Sequence, residues 1–216
     1  MLTALSGAVA GIFHVLSGPD HLAAVAPLAA SERAGAWRAG WTWGLGHASG
    51  VVVVAVLAVL LRDALPPIAE ISAWGERVVG GALIALGLWS LSRAARLRRA
   101  PHTHGATRHD HVHVQRGPRW LRRFGHGHAS FAVGLLHGVA GSSHFFGVLP
   151  ALAFPTPAGS FTYIAAFGFG TVAAMTAFAG AVGRVSTHDA RLSHHWLMSG
   201  TGVAAILVGC VWIAGA

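Results

Sequence analysis

"GIFHVLSGPDHLAAVAPLA", residues 11–29, sets two histidines, an aspartate and a Gly-Pro pair inside an otherwise apolar run. The pattern returns without a gap in "GLLHGVAGSSHFFGVLPAL", residues 134–152. Gly11, His14, Gly18, His21, Val25 and Pro27 align with Gly134, His137, Gly141, His144, Val148 and Pro150. Glycines match easily in a chain that has 29 of them; two histidines and a proline at one offset do not. After a one-residue gap "WGLGHASG" (43–50) aligns with "FGFGTVAA" (167–174). A third pair, "GGALIALGL" (80–88) against "TGVAAILVGC" (201–210), is weaker.

The chain around these motifs is 54% hydrophobic and only 10% charged, where soluble domains carry roughly a quarter charged residues. Its apolar residues fall in runs near the ~20 residues needed to cross a bilayer. Spans are expected at 3–29, 40–61, 75–92, 129–153, 160–183 and 195–215. The period-2 alternation of a membrane barrel is absent from these runs. The expected fold is an all-α membrane protein of six transmembrane helices in a single domain, 1–216. Residues 1–92 form a first three-helix repeat, 93–128 a His/Arg-rich loop, and 129–216 a second repeat. Three is odd, so the second half enters from the opposite side. That makes an inverted repeat, with its first and fourth helices broken at the glycine-bearing motifs.

The net charge of +8 comes from fifteen cations, all arginine. Only Arg62 and Arg77 fall on one side of the six spans; the others share loops 30–39, 93–128 and 184–194. The positive-inside rule places those loops in the cytoplasm and both termini outside. This accounts for the charge as topology, so no nucleic-acid partner is expected. No basic region precedes the first apolar run, so no cleavable signal peptide is expected. Cys210 is the single cysteine, which excludes a disulfide or dithiol relay within one chain.

Seven residues separate His14 from His21. On an unbroken helix that is about 10 Å of rise, too far for two bonds of about 2 Å to one ion. Gly18-Pro19 lies between them, and proline kinks or breaks a helix. A break there can bring the imidazoles together. Asp20 would fall at the start of the second half-helix, whose positive end suits a carboxylate. A carboxylate between two imidazoles suits a divalent cation, and buried alone it would be costly. His47, among Gly44, Gly46 and Gly50, is a further ligand candidate in a region open to close helix approach. His137 and His144 form a second site or complete the first. Ser49, Thr171, Ser142 and Ser143 are candidates for lining the path. The mixed imidazole and carboxylate set favours Ni²⁺, Co²⁺ or Zn²⁺ over cuprous ion. Loop histidines 102, 104, 109, 111, 113, 126 and 128 (His102, His104, His109, His111, His113, His126 and His128) form a histidine-rich tract. Weak, exchangeable metal buffering without a fold is expected of it.

"HVLSGPDH", "WGLGHASGV" and "GLLHGVAGSSH" together resemble the bacterial nickel/cobalt transporter superfamily, in its urease- and hydrogenase-accessory branch. His14, Gly18, Asp20 and His21 reproduce the spacing of that branch's H-P-x-x-G-x-D-H motif, with Val15 in place of the proline. The resemblance implies a secondary permease, not an enzyme, in the bacterial inner membrane. It would have no prosthetic group, Ni²⁺ or Co²⁺ would be the transported substrate, and cytoplasmic nickel chaperones are conceivable partners. His14, Asp20, His21 and His47 carry over as substrate-binding positions. Uptake is the first expectation and export by the same superfamily the second. A membrane haem protein for electron transfer, with paired histidine ligands, is the alternative from another class. A zinc-dependent membrane hydrolase ranks last, because no separate general base is evident.

Overall fold

The computed structural model describes residues 1–60, 68–96, 99–104, 107–112, 126–140, 149–188 and 192–215. Among these, seven α-helices follow in order: α1 (Leu2–Ser17), α2 (Pro19–Glu32), α3 (Ala36–Leu60), α4 (Ile68–Ala95), α5 (His126–Ala140), α6 (Pro157–His188) and α7 (Leu192–Gly215). Short 3-10 turns cover Arg33–Gly35 and Leu149–Ala153.

The first apolar run is broken where Gly18-Pro19 predicts. Gly18 caps α1 with extended backbone (φ −86°, ψ 106°), and Pro19 opens α2. Proline is well placed there, because the first helical N–H has no partner within the helix. The path bends by 75° at this break. α2 is then the interior helix, touching α3, α4, α6 and α7. Its small residues make that possible: Ala23, Ala24, Val25, Leu28, Ala29 and Ala30 are buried.

Several helix pairs meet through glycines, and α1 turns its bulky residues outward. On α1, Gly7, Gly11 and Val15 are buried, while Leu2, Leu5, Val9, Phe13 and Leu16 are exposed. A soluble helix would be arranged the other way round; an outer apolar face with small residues inside is how helices pack in lipid. A methyl group added at Gly11 would strike the Phe167 carbonyl of α6, and one at Gly134 the Trp43 carbonyl of α3. In the same way Gly46 abuts the Phe131 carbonyl of α5, and Gly170 the Ala8 carbonyl of α1. α4 and α7 cross antiparallel, Gly80 against the Gly209 carbonyl and Gly87 against the Gly202 carbonyl. The Ser90 hydroxyl donates to the Met198 carbonyl across this pair at 2.7 Å.

Three segments are long and apolar enough to cross a membrane among the described residues: Ala73–Ala95, Pro157–Ser186 and His194–Gly215. Counting the bent pair Leu2–Ser17 and Pro19–Val54, which takes in α1, α2 and most of α3, as one broken span makes four. The count covers the described residues alone: the second expected span, 40–61, falls largely inside that bent pair, and the fourth, 129–153, includes residues outside the described ones. The expected break in the fourth span falls at 141–148, outside the described residues. The chain is a multi-pass helical membrane protein. The loop departs from expectation. Strands β1 (Arg99–His104) and β2 (Thr107–Val112) pair as an antiparallel hairpin, with His102 opposite His109. The alternating "TRHDHV" of residues 107–112, in a tract expected to have no fold, has the period of a strand.

Candidate metal centre

Four helices deliver five side chains to one place. His14 stands in the last turn of α1, Asp20 and His21 in the first turn of α2, His47 in α3 and His137 in the last turn of α5. The break at Gly18 brings the His14 and His21 rings to 4.6 Å between centroids, edge to face. The His21 ring also lies 5.0 Å from that of His47 and 4.8 Å from that of His137. His21 is therefore the hub, in contact with each of the other three imidazoles. Gly18 makes room for it, because a methyl group there would collide with His21 Nδ1.

Asp20 is 3% exposed and accepts two hydrogen bonds, from His21 Nδ1 at 3.0 Å and from His137 Nε2 at 2.9 Å. The second spans 117 residues of sequence. Hydrogen bonds to a charged group contribute about 1.5–3 kcal/mol each, which offsets the cost of burying the carboxylate. The N-terminus of α2 adds partial positive charge beside it.

Two triads have the reach to hold an ion. The ligand atoms of His14, His21 and His47 lie within 4.8 Å of one another, and so do those of Asp20, His21 and His137. The second triad is buried throughout; in the first, His14 is half-buried. Imidazole nitrogen with carboxylate oxygen is a donor set for borderline divalent ions of the first transition row. Aromatic rings fix these ligands from behind. Trp43, fully buried, stacks on His47 at 4.9 Å with 9° between planes, and also lies 5.5 Å from His137. Phe167 lies 5.4 Å from His14.

Of the residues singled out in the sequence, His14, Asp20, His21, His47 and His137 are thus brought together. His144, Ser142 and Ser143 lie outside the described residues. Ser49 is exposed, and its hydroxyl donates to the Leu45 carbonyl. Two residues beyond His47 is about 200° around the helix, so Ser49 faces away from the cluster. Thr171 is buried, and its hydroxyl points to the Gly11 carbonyl at 3.5 Å, between α6 and α1. His102, His104, His109 and His111 lie on the hairpin backbone, His126 opens α5, His128 is exposed, and His113 lies outside the described residues. Trp43 was not singled out. The signal was present: it precedes His47 by four residues, one helical turn, on the same face.

Comparison with known proteins gives relatives of two kinds. The chain is 35% identical over 187 residues to chloroplast protein FOR GROWTH AND FERTILITY 2 of Arabidopsis thaliana, covering 86% of this chain and 48% of that protein. It is 34% identical over 190 residues to FOR GROWTH AND FERTILITY 1 of the same plant, covering 86% and 51%. It therefore spans about half the length of these two relatives. It is 28% identical over 190 residues to the urease accessory protein UreH of Bacillus sp. (strain TB-90), covering 86% of this chain and 78% of that protein. No solved structure matches it. The resemblance thus meets a relative named as a urease accessory protein, at low identity. The family whose model matches, over residues 5–211, carries a different description. On that match the chain belongs to the family of the cytochrome c biogenesis protein transmembrane region.

Proposed function

We propose that the chain is a secondary permease for a divalent transition-metal ion, Ni²⁺ first and Co²⁺ second, working in the direction of uptake. The observation that carries this reading is the buried His/Asp cluster, assembled from four helices around a helix break. Transporters place their sites on such interrupted helices, where freed backbone and side chains line a cavity. Similarity to a urease accessory protein supports nickel as the cargo. Asp20 holds His21 and His137 through shared protons. An arriving cation would take the place of those protons, so the same groups serve the site with and without its ion.

An inverted repeat is part of this reading, and the glycine contacts support it. Aligning Gly11 with Gly134 and Phe167 with Trp43 carries the first close approach into the second. Aligning Gly46 with Gly170 and Phe131 with Ala8 does the same. Gly80 and Gly209 exchange with Gly202 and Gly87. We place the chain in the bacterial inner membrane, both termini outside, with the 93–128 loop in the cytoplasm as a metal buffer. Export through the same site would draw on that loop as a cytoplasmic collector.

The test is accumulation of nickel-63 by cells and by oriented vesicles. His14→Ala and Asp20→Ala should each abolish it while the protein still reaches the membrane. Normal accumulation by both variants would sink the proposal, and loss of metal from loaded cells would reverse its direction. The family's description supports a second reading, a haem-linked electron-transfer role. Against it, the imidazole rings pack at 4.6–5.0 Å around His21, which leaves no slot for a macrocycle between them. A haem absorption band in the purified protein would put this reading first. A dithiol–disulfide couple within these 216 residues is excluded by the single cysteine, Cys210.

A further inference from the structure

We infer that the cluster is two cation stations sharing one ligand, and that the ion passes between them at His21. The inference rests on the permease reading. Its geometric basis is the pair of triads: His14, His21 and His47 on one side, Asp20, His21 and His137 on the other. His21 belongs to both, and no other residue does.

The shared ring cannot serve both stations at once. A neutral imidazole has one lone-pair nitrogen and one N–H. His21 Nδ1 donates to Asp20 Oδ1, so its lone pair is on Nε2. In that tautomer His21 offers Nε2 to an ion beside His14 and His47, and Asp20 acts behind it as the carboxylate that orients a ligating histidine. For an ion to bind Asp20, His21 and His137, the protons that His21 Nδ1 and His137 Nε2 share with Asp20 must move to the opposite ring nitrogens or leave to water, freeing those lone pairs and the carboxylate for the metal. Occupation of one station therefore removes His21 from the other. One ion per chain follows, with two places to sit.

The stations differ in access and in chemistry. The imidazole station includes half-buried His14, while the carboxylate station is buried throughout. The first is three nitrogens; the second is two nitrogens and a carboxylate oxygen. An ion moving from one to the other exchanges ligands a few at a time and keeps His21 as a neighbour. This suits transport, where each site must bind well enough to admit an ion and weakly enough to release it. The two stations share α2 through His21 but differ in one helix each, α1 for His14 and α5 for His137. His14 rides on α1, which packs against α6, and His137 rides on α5, which packs against α3. A shift of α1 relative to α5 would favour one station over the other.

The experiment uses the full chain in detergent, with Co²⁺ as probe, because its d–d absorption reports ligand number and type. Wild type, His14→Gln, His137→Gln and the double variant are titrated, and each is reconstituted for cobalt flux into liposomes. Wild type should bind one ion per chain. Each single variant should still bind one, with two different spectra whose weighted sum reproduces that of wild type. The double variant should bind at least about 100-fold more weakly, more than the loss of a supporting group produces. Both single variants should lose flux at least tenfold while holding their ion. Asn in place of Gln at either position supplies a second variant if one fails to fold. Loss of binding in both single variants, or two ions bound at once to wild type, overturns the shared-ligand scheme. Absence of flux in wild type that binds cobalt overturns the permease reading instead.

Discussion

Gly18→Ala isolates the packing of the hub from its chemistry. The backbone at Gly18 (φ −86°, ψ 106°) suits alanine, so no conformational strain arises there. The new methyl group would overlap His21 Nδ1 and would lie 2.9 Å from Asp20 Oδ1 and 3.1 Å from His21 Cε1. His21 has little room to yield, with rings at 4.6, 4.8 and 5.0 Å around it. Overpacking of this kind costs about 1–3 kcal/mol. If about 2 kcal/mol of that falls on the ion-holding arrangement, affinity drops about 30-fold, at 1.4 kcal/mol per factor of ten. The assay is equilibrium titration of the purified chain with Co²⁺, with thermal unfolding as a parallel measure. Gly81→Ala is the control, because a methyl group there meets nothing within 4 Å. A Gly18→Ala chain that binds within twofold of wild type would refute the argument that this glycine positions the hub.

Two further outcomes follow from the packing. Gly11→Val should push α1 away from the Phe167 carbonyl and lower the thermal midpoint, at a cost of at least about 2 kcal/mol; Gly134→Val should act alike on α5 and α3, and a tolerated Gly134→Val beside a damaging Gly11→Val would contradict the matched contacts. Ser90→Ala removes the buried bond to the Met198 carbonyl and should cost about 1 kcal/mol of stability with cobalt affinity unchanged; altered affinity would show that α4 and α7 are coupled to the site.

What could be read in advance was what depends on neighbours in sequence. Gly18-Pro19 announced the break, because proline's missing N–H is a local fact. The pairing of Asp20 with His137 is not local. It joins residues 117 positions apart, and only the repeated motif marked His137 as a candidate partner. Which face Ser49 takes depends on helical phase rather than on its nearness to His47 in sequence. On α3 its two-residue separation from His47 turns it to the opposite face. Trp43 was passed over because an aromatic residue in an apolar run carries no polar signal of its own. The third helix pair was weak as an alignment, yet Gly80 and Gly87 meet Gly209 and Gly202. Close approach of backbones requires only small residues at matching levels, and leaves the rest free to differ.

The stack of Trp43 on His47 also gives the protein an intrinsic optical gauge. The chain has eight tryptophans; Trp37, Trp41, Trp74 and Trp196 are exposed, whereas Trp43 is enclosed beside the imidazoles. An open-shell Ni²⁺ or Co²⁺ held by His47 would sit beside this indole and is expected to quench its emission. A chain that keeps Trp43 as its sole tryptophan would therefore dim as the ion arrives, turning a transport step into a fluorescence trace without any attached dye.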